Sequence, residues 1–192
     1  MIPSKKAEMA MGTLIIFIAM IIISATAAGV LITTINSFQT KALETGRATR
    51  AEIGTSLQVV EISGTGANID RKIHNITATV KLSAGSDDVR FDGVLLTLGL
   101  ENATKDYIYN KSANCSEVVK GEYAVEYSIK GNNNIEGYLT RGDIARICFQ
   151  AERPIGESER FRISIIPRVG TQTRLDMYTP YILSRHREVL FP

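Results

Sequence analysis

The sequence predicts an α+β protein in which one very long hydrophobic α-helix precedes an all-β domain of the immunoglobulin-like sandwich type. Residues 9–40 contain no charged side chain, which is unusual in a chain of 192 residues. Beyond residue 64, short segments rich in Ile, Val, Thr, Tyr and Phe alternate with clusters of Gly, Asn and Asp, which is typical of strands and turns. We therefore divide the chain into a basic segment (1–7), a helix (8–63) and a β-sandwich (64–192).

The apolar part of the predicted helix is long enough to cross a membrane. Residues 11–35 would form a helix about 37 Å long, whereas the hydrocarbon layer is about 30 Å thick. The apolar stretch of a secretory signal peptide is only about 7–15 residues long, so a cleaved signal of that class is a poor match. Lys5 and Lys6 precede the stretch, and the positive-inside rule therefore leaves the N-terminus in the cytoplasm and sends the remainder outward.

A more polar helical pattern extends beyond the apolar part. Apolar residues recur at spacings of three and four through Ile53, Leu57 and Val60, and the Gly64-Thr65-Gly66 sequence predicts the end of the helix. A rod of about 80 Å is too long to be buried against the rest of the chain. Outside lipid, its apolar surface must be buried against another surface of similar length, and copies of the same helix would provide one. The alternative is an ordinary single-pass anchor, which would stay in the membrane.

Thirteen helix residues are predicted to pack against neighbouring copies. Ten are large and apolar, and three are small residues that allow helices to approach closely. They are Leu14, Ile15, Phe17, Ile18, Met20, Ile21, Ile22, Ala25, Ala28, Gly29, Leu31, Ile35 and Phe38. Lateral packing with an axial offset would produce an open helical polymer.

Six strands are predicted in the β domain. Ile73–Leu82 is the clearest, because Ile76, Ala78, Val80 and Leu82 alternate with polar residues. The other predicted strands are 94–100, 123–129, 144–151, 161–166 and 174–178. Arg141-Gly142-Asp143 has the composition of a cell-adhesion tripeptide, but its position before a strand favours a turn.

Two features indicate that the β domain is exported. Four Asn-X-Ser/Thr sequons occur, at Asn75, Asn102, Asn110 and Asn114, and they predict an N-glycosylated surface. The two cysteines, Cys115 and Cys148, both lie in this part, where an oxidising environment would allow one disulfide; two unrelated buried thiols are the alternative.

The sequence lacks the common signatures of enzymes, cofactor sites and nucleic-acid binding. It contains no Gly-X-Ser-X-Gly, His-Glu-X-X-His or phosphate-loop motif, and the near-neutral charge of +2 gives no basic footprint for nucleic acid. His74 and His186 have no ligands near them in the sequence. Asp87, Asp88 and Asp92 are carboxylates of the kind that bind Ca²⁺, but without EF-hand spacing they favour a solvated loop. We predict no catalytic residues, no cofactor and no metal.

The N-terminal block MGTLIIFIAM at residues 11–20, with the Ala-rich segment up to Gly29, resembles the start of archaeal flagellins, or archaellins. Four later blocks also resemble that family in order and spacing: YLTRGDI at 138–144, FRISIIPRVG at 161–170, YTP at 178–180 and VLFP at 189–192. The intervening segment 85–136 carries no such resemblance. The family is type IV pilin-like, and in it a membrane peptidase removes the basic leader. By resemblance, the cut falls between Ala7 and Glu8.

The resemblance implies a structural subunit of the archaeal flagellum, or archaellum, an extracellular filament used for swimming. It implies a homopolymer, with related archaellins as possible partners, and a membrane-inserted state before assembly. It also implies a leader peptidase and a membrane assembly platform with an ATPase. The alternatives are a subunit of a non-rotating adhesion pilus and a membrane-anchored β-sandwich that acts as a stator or binding domain.

Overall fold

The computed structural model describes residues 5–192, with the side chains from Met9 onward except those of Asn68 and Ile69. The chain divides into two units, one up to Ala48 and one comprising Thr49–Pro192. Helix α1 (Lys5–Gly54) accounts for the first unit. The second unit contains the β domain.

The β domain has eleven strands among the described residues, a short helix α2 (Ala67–Asp70) and a 3-10 turn at Phe91–Gly93. The strands are β1 (Leu57–Thr65), β2 (Ile73–Leu82), β3 (Val89–Arg90), β4 (Leu95–Leu100), β5 (Ala103–Tyr109), β6 (Glu122–Ile129), β7 (Tyr138–Leu139), β8 (Ile144–Ile155), β9 (Arg160–Ile166), β10 (Thr173–Tyr178) and β11 (Arg187–Phe191). A long helix followed by a β-rich domain is the predicted fold class.

The predicted end of the helix is wrong. Helix α1 ends at Gly54, not at residue 63, and the segment that follows Ser56 is strand β1. The burial pattern explains the error, because Val59 is only 9% exposed whereas Val60 is 38% exposed. This two-residue alternation is that of a strand. Leu57 and Val60 are three residues apart, a spacing that also occurs in one turn of a helix, and for this reason the sequence pattern predicted a helix here. The β domain therefore begins at Leu57 and not at residue 64.

The six predicted strands are present in the structure, with boundaries within a few residues of those expected. Strand β2 has the predicted bounds, and β8 extends four residues beyond its predicted end, to Ile155. The prediction does not include β1, β5, β11 and the two-residue strands β3 and β7. In β5 the polar residues Thr104, Lys105 and Asp106 leave only Tyr107 fully buried, so the apolar alternation is weak.

Nine strands form one sheet in the order β10-β9-β4-β5-β6-β8-β2-β1-β11, and β3 pairs with β7. The neighbours in the large sheet are antiparallel except β5 and β6, which pair in parallel over two residues. The start of β10 meets the start of β1, because Thr173 Oγ1 donates a hydrogen bond of 2.6 Å to the Leu57 carbonyl. The two layers of the expected sandwich are thus one sheet that bends back on itself around a shared core.

Gly170 allows the chain to approach the end of α1 closely. Its φ of +121° is accessible to glycine, and a Cβ at this position would collide with the Thr55 carbonyl. The next residue, Thr171, donates its backbone N–H to that carbonyl at 2.8 Å. The segment before β10 is therefore fastened to the segment before β1.

An aromatic cluster fills part of the core between the layers. Tyr123 is fully buried, and its hydroxyl donates to the carbonyls of Phe91 and Val94 at 2.7 and 2.9 Å. Burial raises the pKa of this phenol far above its ordinary value, so Tyr123 stays neutral and acts as a donor. The bonds tie β6 to the 3-10 turn that leads into β4.

Arg141-Gly142-Asp143 is a turn, as predicted. Gly142 has a φ of +91°, and Asp143 is 2% exposed. The Asp143 carboxylate accepts hydrogen bonds from the Gly131 N–H, the Asn134 side-chain amide, and both the N–H and the hydroxyl of Thr140. Burial acts to raise the pKa of this carboxyl, but these donors together more than offset it and hold the pKa below 3.8.

The substitution Asp143→Ala is expected to lower the free energy of unfolding by about 3 kcal/mol, because it leaves several buried donors without an acceptor. Urea unfolding of the full chain in detergent, followed by near-UV circular dichroism, measures this loss. Because the folded pKa is depressed, the carboxylate stabilises the domain fully above about pH 4 and loses this contribution as the pH falls further. The difference from wild type should therefore shrink toward pH 2.

Asp106→Ala is the matched control, because its exposed carboxylate accepts one hydrogen bond, from Thr97 Oγ1 at 2.7 Å. A loss below about 1 kcal/mol is expected there. Equal losses in the two variants at pH 7 would contradict the role assigned to Asp143.

Candidate functional site

The largest candidate site is the apolar surface of α1. The ten large side chains predicted for packing are between 49% (Ile18) and 69% (Phe38) exposed, and Ala25, Ala28 and Gly29 are exposed as well. The consecutive residues from Leu14 to Ile18 point in all directions around the axis, since each advances by about 100°. A helix that is apolar on every side is stable only in lipid or in the interior of a larger structure.

The threonine hydroxyl groups within this apolar stretch donate to carbonyls of the helix itself. Thr26 Oγ1 donates to the Ile23 carbonyl at 2.9 Å, and Thr34 Oγ1 donates to the Val30 carbonyl at 2.8 Å. Unpaired polar groups are costly in hydrocarbon. With these bonds the stretch exposes an essentially apolar surface, and Met9–Gly54 has the length and composition of a membrane-spanning helix.

The three small residues share one side of the helix. Ala25, Ala28 and Gly29 are separated by three and four positions, which places them on the same face. A Cβ added to Gly29 would meet nothing within 4 Å among the described residues. No contact within the chain therefore requires a small residue there, whereas close approach of a second helix would.

The predicted cleavage site lies at the edge of what the structure describes. The backbone of Ala7 and Glu8 belongs to α1, and their side chains, like residues 1–4 altogether, lie outside the described residues. Cleavage between Ala7 and Glu8 stays a prediction.

The four sequons differ in their surroundings. Asn75, Asn102 and Asn114 are exposed, whereas Asn110 is half-buried. The Asn110 side-chain nitrogen donates to Glu122 Oε2 at 2.7 Å. An N-linked sugar is attached to that nitrogen, so the folded domain presents Asn75, Asn102 and Asn114 better than Asn110 for modification.

The predicted disulfide is confirmed. Cys115, in the loop between β5 and β6, is bonded to Cys148 in β8, with a Cα–Cα distance of 5.2 Å. The alternative of two unrelated thiols is wrong. The bond fastens the loop to one of the long strands, and structural disulfides of this kind are typical of oxidising compartments.

Two of the remaining polar candidates, Asp92 and His74, have a partner close to them in the sequence. Arg90 Nε donates to Asp92 Oδ1 at 2.9 Å, and His74 lies 2.9 Å from Asp70. Among the side chains that the structure describes, no cluster of three His, Cys, Asp or Glu has the arrangement of a metal site.

One family of known proteins matches most of this chain. The model of the archaeal-type flagellin family matches residues 7–177. The chain belongs to the archaeal-type flagellin family. Flagellin B3 of Halobacterium salinarum is 28% identical over 181 residues, which cover 92% of this chain and 90% of that protein.

Two solved structures share the fold. The archaeal flagellum of Methanospirillum hungatei superposes with a TM-score of 0.69 at 14% identity, covering 95% of this chain and 98% of that one. The crystal structure of archaeal flagellin FlaB1 from Methanocaldococcus jannaschii gives 0.65 at 17% identity, covering 71% and 97%. As an archaeal flagellin, the chain is a structural subunit of the flagellar filament.

Replacing both cysteines of this flagellin with serine is expected to lower the free energy of unfolding by roughly 3–4 kcal/mol. The bond closes a sequence separation of 33 residues, and this cross-link reduces the entropy of the unfolded chain. Urea unfolding of the full chain in detergent measures the effect. A thiol-free phosphine reductant should produce a similar loss in the wild type and none in the double variant; an unchanged wild type would contradict the stabilising role.

Proposed function

We propose that this flagellin polymerises through α1, so that the helices form the core of an extracellular filament and the β domains form its outer surface. The observation that carries the proposal is the all-round apolar surface of α1, of which no large side chain from Leu14 to Phe38 is less than 49% exposed. Burial of each such side chain is worth about 1.5–3 kcal/mol. Membership of the flagellin family supports copies of the same chain as the material that buries them.

The subunit occupies two environments in turn under this proposal. Before assembly, the uncharged stretch 9–40 lies in the membrane with the β domain outside the cell, consistent with Lys5 and Lys6 on the cytoplasmic side. During assembly, the helix exchanges lipid for neighbouring helices. Both environments are apolar, so the transfer does not expose this surface to water.

Assembly requires other components that the family implies. A leader peptidase cuts between Ala7 and Glu8, and a membrane platform with an ATPase supplies the work of extraction and addition. The assembled filament serves swimming. The peptidase acts on the N-terminal end of the chain, and the platform acts on the helix.

N-terminal sequencing of protein from filaments sheared off its own cells tests location and processing together. The expected first residue is Glu8, because the apolar helix then remains on the mature subunit. An intact Met1 in sheared filaments would contradict the cleavage. Recovery of the protein only as dispersed single chains in the detergent extract would instead favour a membrane-anchored domain.

The small-residue side of α1 gives a sharper test. Ala28→Leu is expected to reduce filament yield, because overpacking at a close helix contact costs about 1–3 kcal/mol. Such a cost at every added subunit weakens addition by about 5- to 150-fold. Filaments produced by cells that lack other flagellin genes are counted by electron microscopy, and the membrane fraction is assayed for insertion.

Ala27→Leu is the matched control, since it makes the same chemical change at the next position, about 100° around the helix. It is expected to insert into the membrane and to assemble nearly as well as the wild type. If the two variants assembled equally well, Ala28 would not lie at a close contact.

A further inference from the structure

A depression on the outer face of β5, β4, β9 and β10 is not explained by the packing of the domain. Its volume is about 550 Å³, within the usual range for ligand sites. Strand pairing aligns Thr104, Gly99, Arg162 and Asp176 in one row across the four strands. The depression lies over this row because Gly99 contributes no side chain.

Neither the backbone nor the packing requires glycine at position 99. Its φ is not in the left-handed region, and an added Cβ would lie 3.7 Å from the Arg162 Cβ, an ordinary contact distance. Glycine within a strand weakens the strand and often marks a place where another group approaches the backbone closely. The missing side chain therefore indicates a site for an occupant from outside the sheet.

The groups around the depression suit a sugar. The Tyr178 side chain at one side is 64% exposed and offers an aromatic surface against which a pyranose ring can stack. Arg162 Nε donates to Asp176 Oδ1 at 2.7 Å, and Arg160 Nη2 lies 3.7 Å from the same oxygen. This pairing positions the guanidinium groups and the carboxylate, whose remaining donors and acceptors match sugar hydroxyls.

The sequon at Asn102 brings a sugar to this place. Asn102 lies in the two-residue turn between β4 and β5. Glu101, directly before it, and Thr104, two positions after it, both line the depression. Thr104 is the hydroxyl residue of the sequon itself. Two residues span at most about 7 Å, so the first sugars attached to Asn102 are within reach of the row at Gly99.

We propose that the N-linked glycan of Asn102 folds back onto its own subunit and occupies the depression over Gly99, stacking on Tyr178. The glycan then covers an otherwise exposed aromatic and arginine surface on the outside of the domain. This inference rests on the exported, glycosylated surface inferred from the sequons and is independent of how α1 assembles.

Hydroxyl-radical footprinting read by mass spectrometry tests the proposal on full-length protein from cells that glycosylate it, dispersed in detergent. Oxidation of Tyr178 is expected to be at least about threefold lower in the wild type than in Asn102→Gln. Tyr181 is 87% exposed and does not line the depression, so it is the internal control and should react equally in both. The intact glycopeptide mass shows whether Asn102 carries the sugar.

Gly99→Val is a second variant that keeps the sequon. Valine favours strands, and its Cβ has room, so the domain is expected to fold while the side chain occupies the space directly over position 99, where the sugar is proposed to lie. Asn102 should remain glycosylated, and Tyr178 should react as strongly as in Asn102→Gln. Continued protection of Tyr178 in this variant would overturn the proposed placement.

Three other outcomes would also overturn it. The first is equal oxidation of Tyr178 in the wild type and Asn102→Gln when Asn102 is glycosylated. The second is an Asn102 without sugar. The third is protection found only in filaments and independent of Asn102, which would assign the depression to a neighbouring copy. Filament formation is scored separately by electron microscopy, so its failure would contradict the proposed assembly and leave the footprint of dispersed subunits interpretable.

Discussion

Exclusion of the α1 surface from water is the constraint on which the organisation of this protein depends. The stretch 9–40 has no charge, and its threonine hydroxyls donate to carbonyls one turn earlier in the helix. A lipid bilayer and a bundle of identical helices both satisfy such a surface, because neither demands a hydrogen bond from its side. The surface of α1 is therefore compatible both with a membrane and with the interior of a filament.

The β domain satisfies its own requirements within the chain. Its core residues, from Leu57 to Leu183, are buried against one another. Local constraints then hold the connections in place: the Asp143 carboxylate orders one turn, and the Cys115–Cys148 bond fastens the loop between β5 and β6 to β8. The β domain therefore buries its own apolar core, whereas the apolar side chains of α1 stay exposed in the single chain.

The exposed surface of the β domain carries polar and aromatic groups that its core does not use. Three sequons present exposed asparagines, whereas Asn110 is engaged with Glu122. The depression over Gly99 and the aromatic side chain of Tyr178 lie on this surface as well. Polar and aromatic groups that contribute little to the core are thus available for modification and for contacts outside the domain.

The sequence by itself determined the apolar helix and six of the eleven strands, because these depend on hydropathy and short-range alternation. The pattern at 11–35 and that of Ile73–Leu82 are both local. Only the tertiary structure decided that the segment from Leu57 onward is a strand, since the pairing of Leu57 with Leu82 and of Ile62 with Phe191 joins residues far apart in the chain. The same reason explains why the sequence did not indicate that Gly99, Thr104 and Tyr178 border one depression: nothing in a local pattern records which strands become neighbours.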